Sequence, residues 1–503
     1  MISVSIFWYW VFIYHHRIHD DVPPNVLLVV LDSVRAKNVG LHDHIRQTTP
    51  FLSEFAAEST VYEQARSAGS RSITGHASLF TGRSVEEHGL TSADHKLRDG
   101  STIFEELQQE GYSTAVFSEN VWITDVDIGL RNGFDTVVGP QNVPFPEAFD
   151  ARRFVAENGR GNYAEFLRAC LEDDKPGRSI TNGIVTKLTS DYPWLYPFDT
   201  SPPGDIYLDR FLQWQDTQRE PWAACVNLMD AHSPYEPKAE HNRWGDDQLR
   251  SIQERAPNNW ELLSGPSGWW KLMATESLYD GTINQLDSLL ERLISTLKRR
   301  GVYDDTLLVV TSDHGEGFGE PSRVRPGVRV AGHNTALHES VLHVPLMVRF
   351  PGQSEGERVS DLAALTNFPA AVRDALDGDA TSESFTTETA FATSYGILVD
   401  DQLRSRAERY QDPDSLEGFN DRLRAVYDQD SDGVRKHIAV GDKRALSIRV
   451  LDAQTAYVES EIDPATVDAR FDALDDSGLV EEAAGIDAVD DETQQRLEDL
   501  GYM

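Results

Sequence analysis

Four short runs constrain this chain more than anything else in it. Residues 25–31 (NVLLVVL), 222–229 (WAACVNLM), 306–311 (TLLVVT) and 344–350 (VPLMVRF) are apolar, largely β-branched stretches without regular polar alternation. A strand with one wet face alternates; a strand buried on both faces does not, and parallel sheets covered by helices are built from such strands. Residues 112–117 read as a further strand. Helical signals lie between the runs. Thr49-Pro50 is an N-cap followed by Pro at the first helical position, and Thr102-Ile103-Phe104-Glu105 has the capping-box form. Ile283, Leu286, Leu289, Leu290, Leu293, Ile294 and Leu297 fall on one helical face that Gly301 closes. The expected fold is α/β, a mainly parallel sheet sandwiched by helices. Short strand-like runs at 424–428, 435–440 and 445–450 add a small C-terminal antiparallel α+β subdomain. The expected division is 1–24, an apolar N-terminal segment; 25–380, the catalytic domain; and 381–503, the subdomain with an acidic tail ending in a short helix. Residues 140–215 are mixed in character and read as an excursion from the sheet.

The chemistry collects where these strands stop. Asp32, His232, Asp313 and His314 each lie just past the carboxyl end of a strand. That edge is where ligands bind in open α/β sheets. Asp32, Asp313 and His314 offer two carboxylates and an imidazole, a donor set for Ca²⁺, Mg²⁺ or Mn²⁺, with Zn²⁺ also compatible. Taken singly, an Asp after a strand is more often a helix cap, but capping does not explain why all three fall on one edge. A metal there would lower the pKa of a coordinated hydroxyl and hold an anionic ester. The hydroxyl-rich stretch 70–83 (SRSITGHASLFTGR) passes from loop into helix, where backbone amides attract anions. Ser72 is a candidate for the hydroxyl, with Ser70, Thr74 and Ser78 nearby. His232 and His333 could serve as a general acid and as a charge clamp.

Composition narrows the partners. The 503 residues carry a formal charge of −37, which excludes nucleic acid as an expected partner because phosphates would be repelled. The acidity reads as a solvated surface of the salt-adapted kind. Cys170 and Cys225 form no metal-binding spacing, and Cys225 reads as a buried strand thiol. Residues 2–14 (ISVSIFWYWVFIY) are almost wholly apolar but shorter than the about 20 residues a spanning helix needs. Membrane contact through them is one reading, packing on the domain another; a cytoplasmic location is favoured over a membrane-associated one.

At this point the residues carry a resemblance. NVLLVVLDSVR, TTPFLSEFAAEST, SITGHASLFTGRSVEEHG, GYSTAVFSENVW, NLMDAHSPYEP, LLVVTSDHGEGFGE and GHNTALHESVLHVPLMVRFPG resemble, in order, the segments of the sulfatase branch of the alkaline phosphatase superfamily. The terminal LEDLGY is similar to the tail of many members. The resemblance implies metal ligation by Asp32, Asp313 and His314, with Ser72 as nucleophile also touching the metal. It implies that His232 and His333 contact the substrate oxyanion or leaving group, and that His76 stands in place of the usual Arg.

Three departures shape the functional expectation. Ser72-Ile73-Thr74-Gly75-His76 lacks both the Pro/Ala and the Arg of the motif that is converted to formylglycine, so conversion is not expected. Ser33 stands where a second Asp is usual, and Ser118-Glu119-Asn120 where a Lys is usual. The expected activity is metal-dependent hydrolysis of sulfate esters through a covalent intermediate on Ser72. The alternatives are a phosphoester hydrolase or phosphotransferase using unmodified Ser72, and a non-catalytic metal-containing binding protein. The substrate would be a small-molecule, glycan or lipid sulfate or phosphate ester.

Overall fold

The structure is a computed structural model that describes residues 23–140, 162–173, 175–191, 204–219, 221–257, 268–334, 336–396, 401–410, 416–474 and 478–483, with a few single positions between and after them. The apolar segment 2–14 and almost all of the terminal helix expected from the sequence lie outside the described residues. Among the described residues no helix is long and apolar enough to cross a membrane.

An eight-stranded sheet carries the molecule. Its strands in chain order are β1 (Asn25–Leu31), β2 (Thr60–Arg66), β3 (Ser113–Ser118), β4 (Thr136–Val138), β5 (Trp222–Leu228), β6 (Thr306–Thr311), β7 (Leu346–Arg349) and β8 (Glu357–Ala364). Their spatial order is β8-β2-β7-β6-β1-β5-β3-β4. Only β7 runs antiparallel to its neighbours β2 and β6. The apolar runs form the middle of the sheet, as burial on both faces requires. Val26, Leu28 and Val30 of β1 pack to one side, and Leu27, Val29 and Leu31 to the other. Each such side chain contributes about 1.5–3 kcal/mol on burial, so this strand is fixed in register by both layers.

On the first side lie α1 (Ser72–Thr81), α2 (Ile103–Gln109) and α3 (Phe368–Asp377). Phe80 meets Phe104 edge to face at 5.1 Å. The capping box of α2 forms as the sequence predicts, with Thr102 Oγ1 accepting from the Glu105 amide. On the other side lie the helices 204–217 and 269–300. The second of these starts fourteen residues before Ile283, because its first half is not strictly amphipathic. Gly301 ends it in the left-handed region, at φ 71°. Thr49 occupies its expected cap position, but its hydroxyl accepts from the Gly40 amide instead. Asp287, reaching across from the long helix, takes the Phe51 and Leu52 amides at 2.8 and 2.9 Å. A tertiary carboxylate has replaced the local cap.

The C-terminal part is an antiparallel meander of β9 (Thr389–Ser394), β10 (Leu423–Asp430), β11 (Gly433–Val440), β12 (Arg444–Val450) and β13 (Ala456–Ile462). One face, through Tyr427, Ile438 and Ile448, packs against Leu342, Leu362 and Val324 of the main body. The other is covered by the helix Pro464–Phe471. Of the 140–215 excursion, the structure describes helices over Tyr163–Glu172, Pro176–Asp191 and Gly204–Thr217. Cys225 is buried in β5 and free.

Candidate active site

Sheet register brings the strand ends together. Val30 of β1 pairs with Asn227 on one side and Thr311 on the other, and Asn227 pairs with Ser118 at the end of β3. Asp32 therefore emerges between the ends of β5 and β6, where Asp313 and His314 also emerge. Ligand atoms of Asp32, Asp313 and His314 all lie within 4.8 Å of one another, and all three residues are buried. These are the three residues singled out from the sequence as metal ligands.

Each carboxylate is held from behind. Asp32 Oδ1 accepts from Ser33 Oγ at 2.9 Å, and Oδ2 accepts from Asn120 Nδ2 at 3.1 Å and Asn227 Nδ2 at 3.3 Å. Asp313 Oδ1 accepts from the amides of His314 and Ser33. Ser33 reaches this position in the left-handed region, at φ 64°. Asp313 Oδ2 accepts no hydrogen bond. It faces His76 Nδ1 at 3.4 Å and His314 Nε2 at 3.3 Å. Neither carboxylate pairs with a Lys or Arg among the described residues. Burial would push Asp32 up, but His232, His314 and His76 outweigh it and hold this carboxyl below its ordinary value. Burial would likewise lower His314, and Asp313 with Asp32 outweighs it, raising the imidazole. Two buried carboxylates with no Lys or Arg partner among the described residues, one with an oxygen lacking any hydrogen bond, beside an imidazole are a set that a divalent cation fits.

Ser72 is the first residue of α1, after extended Arg71. Its Oγ lies 3.3 Å from His314 Nε2. His314 Nδ1 donates to the Gly315 carbonyl, which leaves the Nε2 lone pair facing Ser72 and Asp313. His76, one turn on, donates from Nδ1 to the Ser72 carbonyl at 2.9 Å. The glycine between them is there for space: a Cβ on Gly75 would sit 2.6 Å from the Asp313 carbonyl oxygen. Gly82 closes the helix at φ 70°. His333 stacks on His314 with centroids 4.2 Å apart, and His232 meets His333 at 5.6 Å. His232 Nδ1 donates to the Ser233 carbonyl, and His333 Nδ1 faces Glu316 Oε2 at 3.3 Å. All seven singled-out residues thus lie in one connected cluster.

Sequence reasoning missed the supports. Asn227 is the one polar residue inside an apolar run, a signal that could have been read. Asn120 occupies the region of the expected Lys and serves Asp32. Glu316, two residues past His314, braces His333. Behind the site, buried Arg35 joins Glu276 and Glu320.

The sulfatase family model matches residues 24–378. This chain belongs to the sulfatase family. It is accordingly an ester hydrolase of the sulfuric or related phosphoric ester class. It is 22% identical to an arylsulfatase of Clostridium perfringens over 352 residues, covering 65% of this chain and 69% of that one. It is 25% identical to an endo-4-O-sulfatase of Bacteroides thetaiotaomicron over 369 residues, covering 67% and 66%. Its fold is similar to the phosphonate monoester hydrolase of Agrobacterium radiobacter, with TM-score 0.56, 16% identity and coverage of 86% and 89%. These likenesses agree with the alkaline-phosphatase-like α/β architecture.

Proposed function

We propose that this sulfatase-family chain hydrolyses sulfate monoesters with the unmodified Ser72 hydroxyl as nucleophile. The observation that carries the reading is the position of Ser72 Oγ at the start of α1, 3.3 Å from His314 Nε2 and beside the buried Asp32, Asp313 and His314 group. Those three residues would hold a divalent cation, which when bound favours the deprotonated hydroxyl and draws charge from the ester oxygens. Ser72 Oγ attacks sulfur; the bond from sulfur to the alcohol oxygen breaks, and His232 or His333 protonates the departing alkoxide. Water then attacks sulfur, the Ser72 oxygen leaves and recovers a proton, and sulfate with one proton is released. His76 holds the Ser72 end of the helix by donating from Nδ1 to the Ser72 carbonyl. The side chains nearest the Asp32, Asp313 and Ser72 cluster include the imidazoles of His76, His232, His314 and His333.

A second reading, hydrolysis or transfer of a phosphate ester by Ser72, is favoured by the Ser72-Ile73-Thr74-Gly75-His76 context, which keeps a plain hydroxyl. Parallel assays of an aryl sulfate, an aryl phosphate and a bis-aryl phosphate test both. Turnover of the aryl sulfate that disappears in Ser72→Ala supports the first reading. Turnover confined to the phosphates supports the second. The mass of the peptide containing residue 72 reports whether the side chain stays serine.

A further inference from the structure

The hairpin that grows out of the site is cationic in a chain of net charge −37. Phe318–Pro321 pairs with Arg329–Ala331, and its base is closed by the Gly332 amide donating to the Gly317 carbonyl at 3.1 Å. Glu316 and His333 flank that base. Arg329 is four residues from His333, a span of at most about 14 Å in extended chain. Between the hairpin and the C-terminal sheet lies a small cleft, partly open to solvent, with a volume of about 30 Å³. Arg323, Arg325, Arg329, His338 and Lys436 line it, over an apolar floor that includes Ile438 and Ile448.

The charges in this cleft do not balance. Its one lining carboxylate, Glu339, already serves Lys436 Nζ at 2.8 Å and Arg66 Nη2 at 3.2 Å, and accepts from Tyr427 Oη at 2.7 Å. Arg323 is half-buried and makes no hydrogen bond or ion pair among the described residues, although Glu339 lies within electrostatic reach. Burial lowers the pKa of Arg323 and takes Arg325 down to about 10. A half-buried guanidinium whose nearest carboxylate is already hydrogen-bonded to other groups costs free energy that a bound oxyanion recovers.

We propose that the Arg323 cleft binds a tetrahedral oxyanion, and that its source is a second sulfate or phosphate group on the substrate rather than the group being hydrolysed. The source rests on the sulfatase reading above; the anion site does not.

Calorimetric titration of inorganic sulfate at constant ionic strength tests the site. Wild type and Arg323→Lys should bind sulfate in the cleft. Arg323→Gln should lose that class of site, with affinity falling about tenfold or more, the scale of one charged hydrogen bond. Identical isotherms for wild type and Arg323→Gln, or no sulfate bound by wild type, would overturn it. Kinetics then assign the source. For a disulfated disaccharide, Arg323→Gln should raise KM about tenfold at unchanged kcat, on the same scale, and leave a monosulfated aryl ester unaffected. Equal KM values for wild type and variant on the disulfated ester would overturn the substrate assignment. If wild type turns over neither ester, the sulfatase reading falls, and the sulfate titration still decides the cleft.

Discussion

Two places in this molecule bury charge that its own residues do not balance, and the signs are opposite. At the carboxyl edge of the central sheet, Asp32 and Asp313 face imidazoles and no Lys or Arg among the described residues. At the seam with the C-terminal sheet, Lys436, Arg66 and Arg323 share Glu339. At Arg35, by contrast, buried charge is matched, with the guanidinium between Glu276 and Glu320. The difference separates two kinds of ionic cluster. A balanced one fixes the fold; an unbalanced one has free energy to gain from a ligand of the missing sign.

Removing charge on each side should break the comparison in opposite directions. Asp313→Asn should cut ester hydrolysis by about 10³-fold, since several kcal/mol of charge stabilisation are lost with the metal group. The metal-free variant should melt no lower than metal-free wild type, because a crowded carboxylate has gone. Added divalent metal should raise the melting temperature of wild type only. Steady-state assay and thermal melts read both effects. Glu339→Gln should do the reverse and destabilise the fold by about 3–5 kcal/mol in denaturant titration, by stranding buried cations. Added sulfate should recover part of that loss.

Acid should act through buried neutral imidazoles. Burial holds His88 down to about 3, with its Nδ1 accepting from the Leu90 amide. Burial, and after it Arg358 and Arg66, hold His42 down to about 4. His338 is also at about 4: burial, Lys436 and Arg323 lower it, against Glu320 and Glu339. Folded values depressed below that of the free imidazole mean full stability above about pH 6.5. Stability is then lost as pH falls toward 4, with a slope of up to about 1.4 kcal/mol per pH unit for each histidine. Denaturant titrations across pH 7 to 4 measure it, and His88→Gln should flatten the curve. The smallest effect sharpens the cationic side. Arg323→Gln removes a positive neighbour, so the His338 pKa should rise, as read by imidazole NMR titration.

The parts of this architecture legible in the sequence are those whose burial is symmetrical. β1 and β6 show as unbroken apolar runs because both faces are covered. β2 (TVYEQAR) hides because Glu63, Gln64 and Arg66 interrupt its apolar pattern, and its burial comes from neighbours far away in sequence. β8 hides because its first half is largely exposed. Asp32, Asp313 and His314 were readable as chemistry following a strand. Asn120 and Asn227 were not assigned, since their shared task on Asp32 is set by register across three strands, and Glu316 was not because its partner His333 lies across a hairpin. The charge imbalance around Arg323 was equally invisible, because Glu339 meets Arg66 and Lys436 only across the fold.

The central claim is that Ser72 attacks the ester. Its most direct test is the initial rate of aryl sulfate hydrolysis by Ser72→Ala beside wild type, both loaded with divalent metal and both shown folded by circular dichroism. The account predicts a loss of about 10³-fold or more, the scale of removing an activated nucleophile. An unchanged rate would contradict it.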